Sequence, residues 1–354
     1  MGWQGWLSVL ALLVAAAALG VAVVVLRRSA RTPGGPVRVE VAEGARPVAF
    51  VLNPTKPEAA ELRDAALRAC ATRYLPEPVF LETTAEDPGV GQARRALDMG
   101  VSTVVAAGGD GTVRAVAEAL VGSAVPMGIV PMGTGNLFAR NLDLPLTRRD
   151  EQLRLALTGS PRPVDVGWLH LDPADEEAAG EKHLFLVIAG LGFDASMVED
   201  TDDELKARVG WIAYFLAGAK HLNGRRMRLQ LQVDSRPATT VRARTVLLGN
   251  CGKLPGGLTL LPGAEVDDGW LDIAAIDTRG GIAGWLQLFG EVVLQGVGLR
   301  TDLPKMGRID HTRARSVTVV SDRPVPVQVD GEPLGRAARL RTEVAQHELL
   351  VRAP

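Results

Sequence analysis

Two short glycine-bearing stretches and two groups of carboxylates are the residues of this chain whose types and spacing point to chemistry. Residues 101–120 read VSTVVAAGGDGTVRAVAEAL: a β-branched apolar run, glycines around one aspartate, then an Ala/Val/Leu pattern of helical spacing. That order predicts a strand, a tight loop and a helix. Gly108, Gly109 and Gly111 tolerate left-handed backbone angles and carry no Cβ. Successive N–H groups of the loop, which runs on to Thr112, can then turn towards an anion at the start of the helix. Such a loop suits a polyphosphate. Asp110 repels phosphate directly but suits a metal ion that neutralises it, so a nucleotide with Mg²⁺ is the expected ligand.

One strand later, residues 126–131 (PMGIVP) form a second apolar run, and the following MGTGNLFAR supplies another small-residue loop with Gly133, Thr134 and Asn136. Loops at consecutive strand ends line the same edge of a parallel sheet, which is where α/β folds bind ligands. Neither loop fits G-x-x-x-x-G-K-[ST] or G-x-G-x-x-G, which excludes the P-loop and dinucleotide fingerprints. Near the other end of the chain, Gln328-Val-Asp330-Gly-Glu332 follows an apolar run and closes on two carboxylates around a glycine. A hydroxyl is a poor nucleophile at neutral pH, so phosphoryl transfer to it gains from a carboxylate that accepts its proton; Glu332 is the candidate general base. Glu265, Asp267 and Asp268 precede the turn at Gly269 and offer the side-chain and carbonyl oxygens that a hard cation takes.

GGDGT at Gly108 to Thr112, followed by GTGN at Gly133 to Asn136, resembles the diacylglycerol kinase catalytic domain, whose relatives include sphingosine and ceramide kinases and, more distantly, NAD kinases. The resemblance runs from about Arg46 to the C-terminus. Family members usually carry an N-P-x-S-G turn against the nucleotide phosphates after the first strand. Here Asn53, Pro54 and Thr55 stand in that place, with Lys56-Pro57 instead of the small pair, so the Lys56 ammonium is expected to pair with phosphate. The resemblance also implies that Asp194, in Gly190-Leu-Gly-Phe-Asp194-Ala195, lines the cleft. It implies a Mg²⁺ ion held by Glu265, Asp268 and the carbonyl of Trp270, and an Asp330 that orients the site or binds metal beside Glu332. The chain departs from the pattern at Arg114, where relatives usually have Asn; an arginine there pairs with phosphate or faces solvent.

The elements that must position these residues follow from length and patterning. A chain of 354 residues exceeds one hydrophobic core, which predicts two soluble domains. The formal net charge of −2 and the lack of any Lys/Arg run beyond Arg27, Arg28, Arg31 and Arg38 argue against a nucleic-acid partner. Cys70 and Cys251 stand alone, without C-x-x-C or Cys/His clusters, and read as buried, reduced thiols. No H-E-x-x-H or G-x-S-x-G occurs, which removes the main support for protease and hydrolase readings.

Residues 3–26 are apolar apart from Gln4 and Ser8. As a helix they span about 36 Å against a hydrocarbon core of about 30 Å, so residues 1–28 are expected to be a transmembrane anchor, with Trp3 and Trp6 at one interface. The arginines after the span place the rest of the chain in the cytoplasm, as a single-pass protein of the cell membrane. Residues 29–45, rich in Pro, Gly and charge, read as a linker. Residues 46–160 alternate strand and helix patterns, which predicts a parallel α/β nucleotide-binding domain. The pattern breaks at 158–163, and residues 161–354 are mostly short β-branched runs separated by turns, 184–189, 240–248 and 349–352 among them, which predicts an antiparallel β-sandwich for substrate and metal, apart from a helix over 203–222 and a solvated hairpin tip at 172–182. The expected protein is an ATP- and Mg²⁺-dependent kinase acting on a lipid of the bilayer, diacylglycerol or a relative. An NAD kinase-like activity and a catalytically silent tether are the alternatives, and a homodimer is left open.

Overall fold

The computed structural model describes residues 44–172, 180–192, 226–254, 259–261, 263–278 and 307–354. The expected membrane span, nearly all of the linker, the tip at 173–179, Asp194 and the helix over 203–222 lie outside the described residues. Among the described residues no helix is long and apolar enough to cross a membrane.

Four parallel strands begin the fold: β1 (Val48–Leu52), β2 (Val79–Glu82), β3 (Thr103–Gly108) and β4 (Met127–Pro131), in the order β2-β1-β3-β4. The apolar runs of β1, β3 and β4 are buried along their whole length because helices cover both faces. Alternate residues choose the face. Ala49, Val51, Val104 and Ala106 pack against α2 (Val90–Asp98), α3 (Asp110–Leu120) and α4 (Leu137–Asn141). Phe50, Leu52, Val105 and Ala107 pack against α1 (Ala59–Thr72) and α5 (Arg149–Thr158). Cys70 lies in this second layer, where burial pushes its thiol up to about 11; both cysteines are buried and free, as expected.

The second half is antiparallel. It comprises β5 (Ser160–Leu171), β6 (Glu181–Phe185), β7 (Ile188–Leu191), β8 (Met227–Val233), β9 (Thr239–Ala243), β10 (Thr245–Gly249), β11 (Leu271–Thr278), β12 (Gly307–Ala314), β13 (Ser316–Val329) and β14 (Glu332–Ala353). These strands wrap one core that includes Leu169, Phe185, Leu191, Leu229, Leu248, Ile273, Val317, Val327 and Leu340. β13 serves both layers: residues 317–321 pair with β8 and residues 327–329 with β7.

The two halves share one sheet. β14 pairs with β13 and β5, then continues until Val351 lies beside Met127 of β4, running parallel to it. Its end is fixed by Arg352, which donates to the Thr103 hydroxyl and, at 2.7 Å, to the Gly159 carbonyl. The expected strand at 349–352 is thus the last part of a 22-residue element. The reason it escapes its sequence is visible in the burial: Arg336, Arg339 and Arg341 alternate outward and leave only Ala337, Leu340 and Thr342 inside. Of the expected break at 158–163, residues 160–163 are strand. Pro161 and Pro163 lie opposite Arg352 and Leu350 on the part of β5 that has no second strand neighbour, a position that tolerates a missing N–H.

Gly128 in β4 is a close-approach glycine, since a Cβ there would lie 2.6 Å from the Ala156 carbonyl oxygen of α5. Gly128→Ala is expected to lower stability by about 1–3 kcal/mol, the usual cost of overpacking, read as a lower urea midpoint with an unchanged slope.

Candidate functional site

Three loops leave adjacent parallel strands on one edge. After β1, the Asn53 N–H donates to the Ala107 carbonyl, and its side-chain Oδ1 accepts from the N–H and hydroxyl of Thr55 at 3.0 and 2.8 Å, closing a turn that leaves Pro54 and Thr55 exposed. Lys56 follows, half-buried.

After β3, Gly109 is extended and Asp110 begins α3. None of Gly108, Gly109 and Gly111 has the left-handed angles their type permits; closeness is what the first two supply. A Cβ on Gly108 would meet the buried Thr112 side chain at 2.6 Å, and one on Gly133 would sit 2.9 Å from the Cα of Gly109. Nothing of the protein lies within 4 Å of a Cβ on Gly111, so the bareness of that exposed residue leaves room for something else.

After β4, the second loop folds on itself. Asn136 takes the left-handed conformation (φ 48°, ψ 47°), donates from Nδ2 to the Gly133 carbonyl at 2.6 Å and accepts the Gly133 N–H on Oδ1 at 3.0 Å. The exposed Thr134 stands at its crest. Asp110 joins the two loops: its oxygens accept the N–H groups of Asn136 at 2.9 Å and Leu137 at 2.6 Å. A Cβ on Gly135 would lie 2.8 Å from that carboxylate, which explains the second glycine of GTGN. Asp110 is therefore a clamp on the second loop, where the sequence suggested a metal ligand.

The Asp-Gly-Glu segment is a two-residue hairpin with both Asp330 (φ 47°) and Gly331 (φ 87°) left-handed, the geometry that Asp-Gly favours. Asp330 turns inward and accepts three main-chain N–H groups, from Leu186 at 2.8 Å and from Val187 and Ile188 at 2.9 Å. It holds the β6–β7 connection. Glu332, more than half exposed, is ion-paired with Arg114 of α3, whose side chain is only 12% exposed and also reaches the Leu184 carbonyl at 3.5 Å. That pair brings the candidate base, 218 residues away in sequence, to the helix that starts at the glycine loop. Arg114 thus takes a partner that neither sequence alternative named.

Burial raises the carboxyl groups of Asp110 and Asp330, against the pull of their main-chain donors and, for Asp330, of Arg114. With folded values above the ordinary 3.8, each contributes stability that is complete below that pH and lost as pH rises through the raised value.

The acidic turn has other partners. Asp268 accepts the Trp270 N–H at 3.1 Å and faces Arg313, whose guanidinium lies 3.0 Å from its second oxygen, 3.4 Å from the buried Asp272, and against the Gly263 carbonyl. Trp270 lies under the guanidinium of Arg315, Asp267 pairs with Arg162, and Glu265 is exposed. Among the described residues no group of three or more His, Cys, Asp or Glu side chains converges on a metal position. The positive charge beside Asp268 and Asp272 is that of Arg313. Sequence reading missed Arg313, and it missed Asp165, which is wholly buried and accepts the Gly269 N–H at 2.6 Å and the His347 N–H at 2.8 Å. An aspartate between Val164 and Val166 in a buried strand was the available signal.

A further link crosses the halves. Asn141 at the end of α4 exchanges two hydrogen bonds of 2.9 Å with the main chain of Lys253, and Asn250 donates to the carbonyls of Asp165 and Leu186.

Residues 47–169 match the family described as the diacylglycerol kinase catalytic domain, and residues 187–351 match the YegS C-terminal NAD kinase beta sandwich-like domain. The chain is 33% identical to a Pseudomonas aeruginosa protein named "probable lipid kinase YegS-like", over 80% of this chain and 87% of that one. It is 31% identical to an uncharacterised Synechocystis protein over 67% of this chain, and spans about half (51%) of that relative's length. In fold it is similar to the crystal structure of a diacylglycerol kinase from Bacillus anthracis, with a TM-score of 0.66 at 22% identity, covering 87% of this chain and 97% of that one.

Because an amide at position 110 can accept only one of the two N–H groups the carboxylate takes, Asp110→Asn is expected to cost about 1–3 kcal/mol of stability and to weaken nucleotide binding. Calorimetry at low and high Mg²⁺ distinguishes a clamp from a metal ligand, since added Mg²⁺ does not restore the affinity of a mutant that has lost the clamp.

Proposed function

As the chain belongs to the diacylglycerol kinase catalytic-domain family, a family of lipid kinases, we propose that it transfers the γ-phosphate of ATP to the hydroxyl of a membrane lipid, with diacylglycerol as acceptor and phosphatidic acid as product. The observation that carries this reading is the placement of Glu332 against α3 by Arg114, which sets a carboxylate beside the helix that begins at the glycine loop. The triphosphate, arriving with its own Mg²⁺, lies over the bare edge at Gly109 and Gly111, between the Asn53 turn with Lys56 and the loop of Gly133 and Thr134. The acceptor oxygen attacks the γ-phosphorus, the bond to the bridging oxygen of ADP breaks, and the hydroxyl proton passes to the Glu332 carboxylate. Asp330 positions the hairpin and takes no proton. The apolar residues 3–26 hold the catalytic part on the cytoplasmic face of the membrane, where its acceptor lies.

Purified protein with labelled ATP and a panel of diacylglycerol, sphingosine, polyprenol, phosphatidylglycerol and NAD is expected to label diacylglycerol. Labelled NAD without labelled lipid overturns the lipid assignment. Glu332→Gln is expected to lower turnover by about a hundredfold to ten-thousandfold, the usual scale for a lost general base, with ATP affinity little changed. Removal of residues 1–31 is expected to leave activity on detergent-dispersed lipid and to depress it on vesicles; equal rates on vesicles with and without the segment count against the anchor.

A further inference from the structure

Arg114 is the fifth residue of α3 and carries a charge that its surroundings almost enclose: the side chain is 12% exposed, with the Leu184 carbonyl at 3.5 Å and the Glu332 carboxylate as its ionic partner. A nearly buried guanidinium needs such a partner, since an unpaired charge there is costly. Glu332 has the opposite problem. It stands at the exposed end of a hairpin, 58% accessible, and Arg114 is the ionic partner that restrains its side chain. Among the described residues its ionic partner is Arg114 from α3, while the carboxylate of Asp330, two residues earlier in its own hairpin, is turned onto main-chain N–H groups. The β6–β7 connection packed against both contributes main chain and the apolar Leu184, Phe185, Leu186, Val187 and Ile188.

We propose that Arg114 is the positioning residue of the proton acceptor: it fixes the Glu332 carboxylate beside the helix of the glycine loop. This rests on Glu332 being the base. The ion pair holds the carboxylate in one place at the exposed end of its hairpin. An asparagine at 114, the residue that the family resemblance leads one to expect, offers a neutral hydrogen bond in place of the ion pair. A lysine keeps the charge but loses the planar fork that reaches Glu332 and the Leu184 carbonyl together.

The test is kcat and KM for ATP-driven phosphorylation of detergent-dispersed diacylglycerol by wild type, Arg114→Met, Arg114→Asn and Arg114→Lys, each first checked by its urea midpoint. The Met and Asn variants are expected to lower kcat about tenfold or more with an unchanged KM for ATP, and Lys to recover part of the loss. A raised KM for ATP with kcat kept makes Arg114 a phosphate ligand and overturns the proposal. In a Glu332→Gln background, Arg114→Met is expected to cost no further kcat, since the two act as one unit; a further loss of about tenfold shows that Arg114 acts apart from Glu332 and overturns the proposal as well. If Glu332→Gln alone keeps its turnover, the base assignment itself fails.

Discussion

The site depends on inward-turned aspartates that accept main-chain N–H groups from segments remote in sequence. Asp110 takes those of Asn136 and Leu137, Asp330 those of Leu186, Val187 and Ile188, and Asp165 those of Gly269 and His347. Buried N–H groups need acceptors, and an ionised carboxylate accepts several at once with shorter, stronger bonds than a neutral group. Its burial raises the cost of the charge, so the donors must stay in place. The links form a ring: Asp110 to α4, Asn141 to Lys253, Asn250 to Leu186, Asp330 to the hairpin, and Glu332 through Arg114 back to α3. Members of such a ring are coupled, and the effects of their loss do not add.

The same residue chemistry is put to different uses by surroundings. Asp330 and Glu332 are two residues apart, yet one is turned inward onto three donors and the other stands in solvent opposite a guanidinium. Glu332 is exposed and, among the described residues, accepts no main-chain N–H group, while Asp330 is spent on shape. At the acidic turn, Arg313 draws Asp268 and Asp272 together, with His311 2.6 Å from Asp272 on the other side.

The strand and helix alternation of the first half was legible because β1, β3 and β4 are apolar throughout and their helices follow the 3.6-residue period. The Gly108–Thr112 and Gly133–Asn136 motifs marked the sheet edge correctly, since local loops carry their chemistry in contiguous residues. What local reading lacked was pairing across the chain. The partners of Asp110, Asp330 and Arg114 lie 26 or more residues away. Strand ends were lost for a similar reason: the run expected at 184–189 is divided at 186–187, where Asp330 captures the main chain, and the run at 240–248 is divided at Arg244. In each case, tertiary hydrogen bonds overrule a continuous β-branched signal.

β14 carries an implication for how the chain is made. Its last residues complete the sheet of the first half: Val351 sits beside β4, and Arg352 ties to Thr103 and Gly159. As synthesis runs from the N-terminus, residues 44–158 leave the ribosome with β4 lacking its neighbour. That strand edge stays open until Val351 has been added. Folding of the first half is therefore completed by a segment made some 220 positions after the strand it joins. Until then the nascent chain presents an apolar edge of the kind that other strands join, a hazard that chaperones exist to cover.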